Sequence, residues 1–348
     1  MGVPFQQVEA ALDNASAELF ADRSVRSLGI GRHGDQFGYF VVRHDARILP
    51  QAGMVSLGTS KAQKPLKAEI AGVPVTVRVA AHDLRVHLKL PMSGPGSPTA
   101  GSSVIEQHGR RPLCDGLQIQ NFDNDVRSGV IAGGHIIIGT LGCFVTLIDG
   151  RVAILSNNHV VAGENHGRRG ADRILQPGSG EFDAAGHVAT LTRFQRIHPS
   201  VAGAQPANGN VKWNEIDAGV AAIENAIAFD QNFHPTRLGL PVISGVASAR
   251  VGDRVFKVGR TTGLTRGIVQ SVSTIVGPVP YTDGESWFRR SIVIEGLNGT
   301  MFSDHGDSGS AIVKETGEAI GLLYAGNGSQ TYACPMNTVL SKLKCALN

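Results

Sequence analysis

Glycine recurs along this chain so often that long, uninterrupted helices are hard to accommodate. It occupies 44 of the 348 positions, and 16 prolines add further breaks. Glycine supplies the positive φ angles of tight turns and weakens a helix interior, so this pattern favours short strands joined by turns over a helix bundle. Hydrophobic residues make up 42% of the chain, which is enough to bury a sizeable core. We therefore expect a mainly β protein.

The beginning of the chain predicts a small α+β domain over residues 1–90. Apolar residues recur at helical spacing over residues 5–20, which predicts an amphipathic helix. The β-like runs that follow are 38–44, 73–79 and 84–90. The last two runs are expected to pair with each other as a hairpin.

A linker and a larger β-rich domain follow. Residues 91–103 are dominated by Pro, Gly and Ser, a composition typical of a linker. Residues 104–348 hold strand-like runs and one late helix candidate at 337–347. The glycines at 29, 31 and 34 match a dinucleotide-binding spacing, but the loop leads into a β-like run and no acid follows at 49–54. We interpret it as a glycine-rich hairpin turn, and no cofactor is expected.

Charge and hydropathy narrow the expected partners. The net charge is +3, and no Lys/Arg run is long enough to track phosphates, so nucleic acid is not an expected partner. No apolar run approaches the roughly 18 residues that span a bilayer. The N-terminus lacks the basic and apolar regions of a secretory signal. We expect a cytoplasmic protein with no membrane partner.

Three separated segments carry side chains suited to one reaction. His159 follows a buried apolar run, Asp217 precedes another, and Ser308 is the centre of the glycine-rich loop 306–310. Each alone has an ordinary explanation as a core or loop residue. Together they supply a weak nucleophile, a base with a pKa near ~6.5 and a carboxylate to orient it. A Gly-Asp-Ser loop can aim the backbone N–H groups of Gly306 and Ser308 at one oxyanion, and a Cβ at Gly306 would obstruct that turn.

From about Arg111 onwards the chain resembles trypsin-like serine peptidases of the chymotrypsin fold. These also run in the order His, Asp, Ser. It is most similar to an intracellular group of plant and bacterial proteins typified by the narrow-leaf protein. The segments that carry the resemblance are 139–145, 155–162, 214–220, 259–267 and 306–310. The resemblance implies a chymotrypsin-like double antiparallel β-barrel after the α+β domain, with His159 as base, Asp217 as its orienting group and Ser308 as nucleophile in the cleft.

The cysteines depart from the secreted members of that family. A disulfide usually clamps the His loop there; Cys143 fills the upstream position, but Val160 follows His159, so that bridge cannot form. The four cysteines are Cys114, Cys143, Cys334 and Cys345. Free thiols in a reducing compartment are the favoured interpretation. No Cys/His pair has metal-ligand spacing, so no metal site is expected.

The resemblance also implies supporting and substrate-binding residues. If Asp307 is buried it needs a cationic partner, and Arg260 is expected to be that partner. The alternative is that Arg260 is exposed on a hairpin. Residues 323–326 are expected to pair with the substrate backbone. The implied substrate-binding residues are Phe302, Ser303, Tyr324, Ala325 and Gly326. No acid is well placed at the pocket base, which favours apolar or small substrate side chains, and Asp304 is the residue that would reverse this.

The predicted activity is that of a serine endopeptidase acting on proteins or peptides through an acyl-enzyme. The alternative is a peptide-binding module that keeps the barrels and has lost turnover. For the N-terminal domain three roles stay open: regulation, homo-oligomerisation, or inhibition as a prosegment released by cutting the linker at 91–103.

Overall fold

The described part of the chain, in a computed structural model, is built mainly of strands in two sheets. It comprises residues 3–44, 66–80, 82–86, 88–91 and 105–348. One sheet has twelve strands and the other nine, and the α-helices are short. The architecture is the chymotrypsin-like two-barrel fold with a small helix- and strand-containing region in front of it, as predicted.

Short elements follow one another along the chain. The N-terminal elements are α1 (Phe5–Ala10), α2 (Leu12–Leu19), β1 (Val25–His33), β2 (Gln36–His44), β3 (Glu69–Ile70), β4 (Val73–Ala80) and β5 (Leu88–Pro91). The central elements are β6 (Gln118–Asn121), α3 (Phe122–Arg127), β7 (His135–Thr140), β8 (Cys143–Leu147), β9 (Val152–Ser156), α4 (Asn158–Val161), β10 (Arg173–Leu175), β11 (His187–Phe194), β12 (Trp213–Asn214) and β13 (Gly219–Ile223). The last elements are α5 (Phe233–Leu238), β14 (Gly245–Val246), β15 (Arg254–Gly259), β16 (Gly263–Tyr281), β17 (Gly284–Gly296), β18 (Ala311–Lys314), β19 (Glu318–Gly326), β20 (Gln330–Pro335), α6 (Met336–Leu343) and β21 (Cys345–Leu347). Single 3₁₀ turns lie at Ile105–Gln107, Pro206–Asn208 and Leu297–Gly299.

Six strands of the larger sheet close on themselves. The pairing runs β15–β16–β17–β20–β19–β18 and returns to β15. Inward-facing apolar side chains from these strands, among them Val255, Val269 and Ile294, form a buried cluster. Closure leaves these strands without free edges, and burial of this apolar surface is the main stabilising contribution.

The smaller sheet orders its strands β21–β8–β9–β13–β11–β10–β6–β7–β5. Its core includes Ile119, Ile154 and Leu191, all fully buried. Strand β9 lies between β8 and β13, so its backbone groups are paired on both sides. The rigid end of β9 therefore provides a fixed starting point for the residues that follow it.

The N-terminal strands continue the larger sheet. Strand β1 pairs with β2 as a hairpin that turns at Gly34, where φ is 59°. Its other edge pairs antiparallel with β16, with Leu28 opposite Ile275. The predicted helix is present but divided at Ala11 into α1 and α2. The domain boundaries at 90 and 104 stay a prediction.

One predicted strand pairing and one predicted helix end differ from the structure. The predicted hairpin between the runs 73–79 and 84–90 is wrong, because β4 pairs in parallel with β2 and β5 pairs with β7. The C-terminal helix stops at Leu343, since Lys344 adopts a φ of 52° and the chain turns into β21. The predicted linker lies outside the described residues except for Pro91, the last residue of β5.

Candidate active site

Strand pairing brings two of the three predicted side chains together. Strand β9 ends at Ser156, and α4 then carries His159 in its single turn. Strand β13 runs antiparallel to β9 with Gly219 opposite Ser156. Asp217, two residues before Gly219, is thereby placed next to His159. The Asn157 side-chain amide donates to the Asp217 carbonyl oxygen at 2.7 Å and fixes this corner.

The His159–Asp217 contact is short and fully buried. The His159 Nδ1 to Asp217 Oδ2 distance is 2.5 Å, and the two side chains are 1% and 0% exposed. The His159 backbone N–H also donates to Asp217 Oδ1 at 3.2 Å. The carboxylate thus bonds both the ring and the backbone of His159, which suits a group that fixes a histidine tautomer.

Tyr281 completes this cluster, and the sequence motifs did not point to it. Its hydroxyl donates to Asp217 Oδ2 at 2.8 Å. Burial, followed by the nearby Asp217 charge, raises the pKa of Tyr281 well above its usual value, so the hydroxyl stays protonated. Tyr281 ends the long strand β16, and neither its spacing nor its neighbours in sequence signal a role.

Ser308 lies in a tight loop held against the smaller sheet. Gly306 and Gly309 both have a φ of 96°, a conformation that favours glycine. Thr140, at the end of β7, donates its backbone N–H to the Ser308 carbonyl and its hydroxyl to the Gly306 carbonyl, each at 2.8 Å. The Ser308 hydroxyl itself donates to the Val86 carbonyl oxygen at 3.0 Å.

The loop around Ser308 and the helix that carries His159 flank the same glycine. A Cβ on Gly139 would meet the Val160 side chain on one side and the Ser308 carbonyl oxygen on the other. Gly139 therefore permits the close approach of the residue that follows His159 to the serine loop. The serine loop and the helix that carries His159 thus approach each other across Gly139.

Lys257 is the cation that contacts Asp307, and the predicted ion pair between Arg260 and Asp307 is wrong. Lys257 Nζ lies 3.3 Å from Asp307 Oδ2, and both side chains are 0% exposed. Thr261 and Thr262 donate their backbone N–H groups to Asp307 Oδ1, and the Thr262 hydroxyl donates to Oδ2 at 2.7 Å. Five different donors thus surround one buried carboxylate once the Asp304 N–H at 3.0 Å is included.

Arg260 is buried beside this cluster instead of being exposed on a hairpin. Its Nη1 donates to the Thr261 hydroxyl at 3.2 Å, and its Nε and Nη2 have no hydrogen-bond partner among the described residues. Burial lowers the pKa of Arg260 to about 10, against the opposing attraction of Asp307. The guanidinium is therefore attracted electrostatically to Asp307 but does not form an ion pair with it.

A cavity of about 330 Å³ opens beside Ser308. Of the predicted substrate-binding residues, Ser303, Ala325 and Gly326 line it, and so does Asp304. Phe302 and Tyr324 do not line it, because their side chains are fully buried in the core. For Tyr324 the alternation of side chains along β19 explains this, since neighbouring residues of a strand point to opposite faces.

The four cysteines are free in the structure, and three of the four are buried. Over the described residues there is no cluster of His, Cys, Asp or Glu able to hold a metal ion. No helix in the described ranges combines the length and apolar character needed to cross a bilayer.

Comparison with known proteins places the chain in a family. The chain is similar in structure to the chymotrypsin of Cellulomonas bogoriensis (19% identity, TM-score 0.40, 60% of this chain and 90% of that one). It is also similar to the Nocardiopsis protease NAPase (17%, 0.44, 68% and 98%) and to a glutamic acid-specific serine protease (17%, 0.42, 68% and 100%). No curated protein matches the sequence. The family model described as Trypsin matches residues 127–341, more than half of the chain, and the chain therefore belongs to the trypsin family of serine peptidases.

Proposed function

We propose that the protein is a serine endopeptidase that hydrolyses peptide bonds through an acyl-enzyme. The buried 2.5 Å contact between His159 and Asp217 carries this proposal. Removing a histidine and an aspartate from water costs free energy, and a role as an oriented general base would explain why the protein buries them. Family membership supports the same activity.

Each residue has a defined part in the proposed reaction. Ser308 Oγ attacks the substrate carbonyl carbon while His159 takes the hydroxyl proton. Asp217 stabilises the imidazolium that forms. The N–H groups of Gly306 and Ser308 stabilise the oxyanion. His159 then gives its proton to the departing amine, and a water molecule hydrolyses the ester on Ser308 by the same route.

Labelling with a fluorophosphonate probe tests the proposal directly. The folded protein is expected to be labelled at Ser308 and to cleave members of a peptide library. Ser308→Ala is expected to lose both, and Asp217→Asn to lose about 10³-fold or more in kcat/KM while it stays folded. A matched control is Ser244→Ala, which removes an exposed hydroxyl next to β14, the strand that pairs with β19 at Glu318, the end opposite Gly326. Labelling at another residue, or equal cleavage by Ser308→Ala, would contradict the assignment.

The alternative function is a peptide-binding module without turnover. One observation favours it: Gly326 already forms an antiparallel backbone bridge with Arg85, and such pairing needs no catalysis. A folded protein that binds peptides and never reacts with the probe would establish this alternative.

We also propose that the protein acts in a reducing compartment such as the cytoplasm, as its narrow-leaf-type resemblance implies. The four free cysteines support this, since Cys143 has no disulfide partner. Thiol trapping in intact cells followed by mass spectrometry tests it. Recovery of any two of these cysteines as a disulfide would contradict it.

A further inference from the structure

Part of the N-terminal region lies in the groove that the substrate backbone is expected to use. Residues 82–86, which we call the cleft segment, run beside the end of β19. Arg85 donates its N–H to the Gly326 carbonyl at 3.0 Å, and Gly326 donates its N–H to the Arg85 carbonyl at 3.1 Å. This antiparallel bridge is the pairing that an extended peptide makes with an exposed strand. The cleft segment therefore takes the place of a substrate strand.

The cleft segment also contacts the nucleophile. The Ser308 hydroxyl donates to the Val86 carbonyl oxygen at 3.0 Å. A serine hydroxyl has a single proton to donate. While Ser308 makes this bond it does not donate to an imidazole, so its activation by His159 requires that the bond to Val86 be broken.

Burial and an ion pair hold the cleft segment in this position. Leu84 and Val86 are 1% and 3% exposed and belong to the same buried cluster as the groove residue Ala325. Asp83 accepts from Arg26 of β1 through both carboxylate oxygens, at 2.5 and 2.9 Å. The segment is thus packed into the protein on its own apolar side chains.

The chain is anchored on the far side of the nucleophile as well. Strand β5, which follows the cleft segment, pairs antiparallel with β7, with Leu88 opposite Ile138. Strand β7 ends at Thr140, which holds the serine loop through the Ser308 carbonyl. The N-terminal region therefore crosses the site from one sheet to the other.

We propose that the cleft segment is a built-in occupant of the substrate groove, so that the protein reacts slowly until the segment is displaced. This inference rests on the proposed peptidase function and names its regulation. Because the segment is tethered to the site, its effective concentration there is high, and a peptide substrate must compete with it. Separation of the cleft segment from Gly326, and not only a cut in the linker, is the activating event.

Weakening the cleft segment in the full-length chain tests this regulation. Arg85→Pro removes the N–H that bonds Gly326, and Asp83→Ala removes the carboxylate that anchors Arg26. The control is Glu69→Ala, the same kind of charge loss at an exposed residue of β3. The fluorophosphonate labelling rate of Ser308 is expected to rise at least about tenfold in both test variants and to stay unchanged in the control. Hydrogen exchange at the Gly326 amide is expected to accelerate in the same two variants.

Each result has a definite meaning. Equal labelling of wild type and both test variants, with the Gly326 amide exchanging faster in the variants, overturns the inhibition and leaves the peptidase function standing. No labelling of any variant despite faster exchange overturns the peptidase function itself, and the inhibition with it. If Arg85→Pro does not fold, Asp83→Ala decides alone. Rapid exchange of the Gly326 amide in the wild type would show that the cleft segment does not occupy the groove, and would overturn the proposal.

Discussion

Lys257→Met is expected to destabilise the protein through one buried carboxylate. The substitution keeps an unbranched apolar side chain but removes the cation 3.3 Å from Asp307 Oδ2, together with bonds to the Thr262 hydroxyl at 2.5 Å and the Gly263 carbonyl at 3.1 Å. Breaking a buried ion pair by removing one partner costs about 3–5 kcal/mol. Burial lowers the pKa of Lys257 even beside Asp307, so the lysine itself is costly to bury and its removal recovers part of that cost. We therefore expect a loss of about 3 kcal/mol.

Urea unfolding followed by tryptophan fluorescence measures this loss. A decrease of about 3 kcal/mol is roughly a 150-fold change in the unfolding equilibrium constant. The matched control is Arg260→Met, because Arg260 is a buried cation near the same carboxylate but makes no ion pair with it. Its variant is expected to lose less than about 1 kcal/mol, since two of its nitrogens have no hydrogen-bond partner among the described residues. A larger loss for Arg260→Met than for Lys257→Met would refute the assignment of the cation.

Three further outcomes are expected. Tyr281→Phe removes a hydrogen-bond donor to the Asp217 carboxylate, and such a bond is worth about 1.5–3 kcal/mol. We therefore expect kcat to fall about 10- to 100-fold with little change in KM. An unchanged kcat would exclude a positioning role for Tyr281. Burial raises the pKa of Asp115 to about 7, so the folded state keeps a proton that the unfolded state releases above pH ~4, and stability falls as pH rises from about 4 to 7. Asp115→Asn is expected to remove that slope and to stabilise the protein above pH 7 by up to ~4 kcal/mol in urea titrations, and a parallel slope in the variant would contradict this. Burial raises the pKa of Cys114 to about 12 and of Cys345 to about 11. We therefore expect these thiols to react slowly with a disulfide reagent in the folded protein and fully in guanidinium. Rapid reaction in the folded protein would contradict their burial.

Local sequence was sufficient for the parts of the site that lie within one loop. His159, Asp217 and the loop around Ser308 are each marked by their immediate neighbours, and the glycines of that loop report the positive φ angles found there. The predicted runs 38–44 and 73–79 lie within β2 and β4, whereas of the run 84–90 only residues from Leu88 onwards form a strand, β5. These are properties of a few consecutive residues, which is why they are readable from spacing alone.

Contacts between distant strands were not predictable in the same way. Tyr281 reaches Asp217 only because β16 is long and pairs with β17, and Lys257 reaches Asp307 only because β15 pairs with β18. The runs around β4 and β5 look like two arms of a hairpin, yet each pairs with a strand elsewhere in the chain. Alternation specifies that a segment is extended but does not specify its neighbour.

The pairing of β1 with β16 has a practical consequence for any attempt to isolate the peptidase region. A chain that began at residue 104 would lose β1, and the backbone groups of β16 that face β1 between Ser271 and Val276 would lose their partners. An uncovered strand of this kind recruits strands from other molecules, so the shortened protein is expected to self-associate. Light scattering should therefore accompany every rate measured on such a fragment. Without it, a change in turnover caused by aggregation of the fragment could not be distinguished from one caused by vacating the substrate groove.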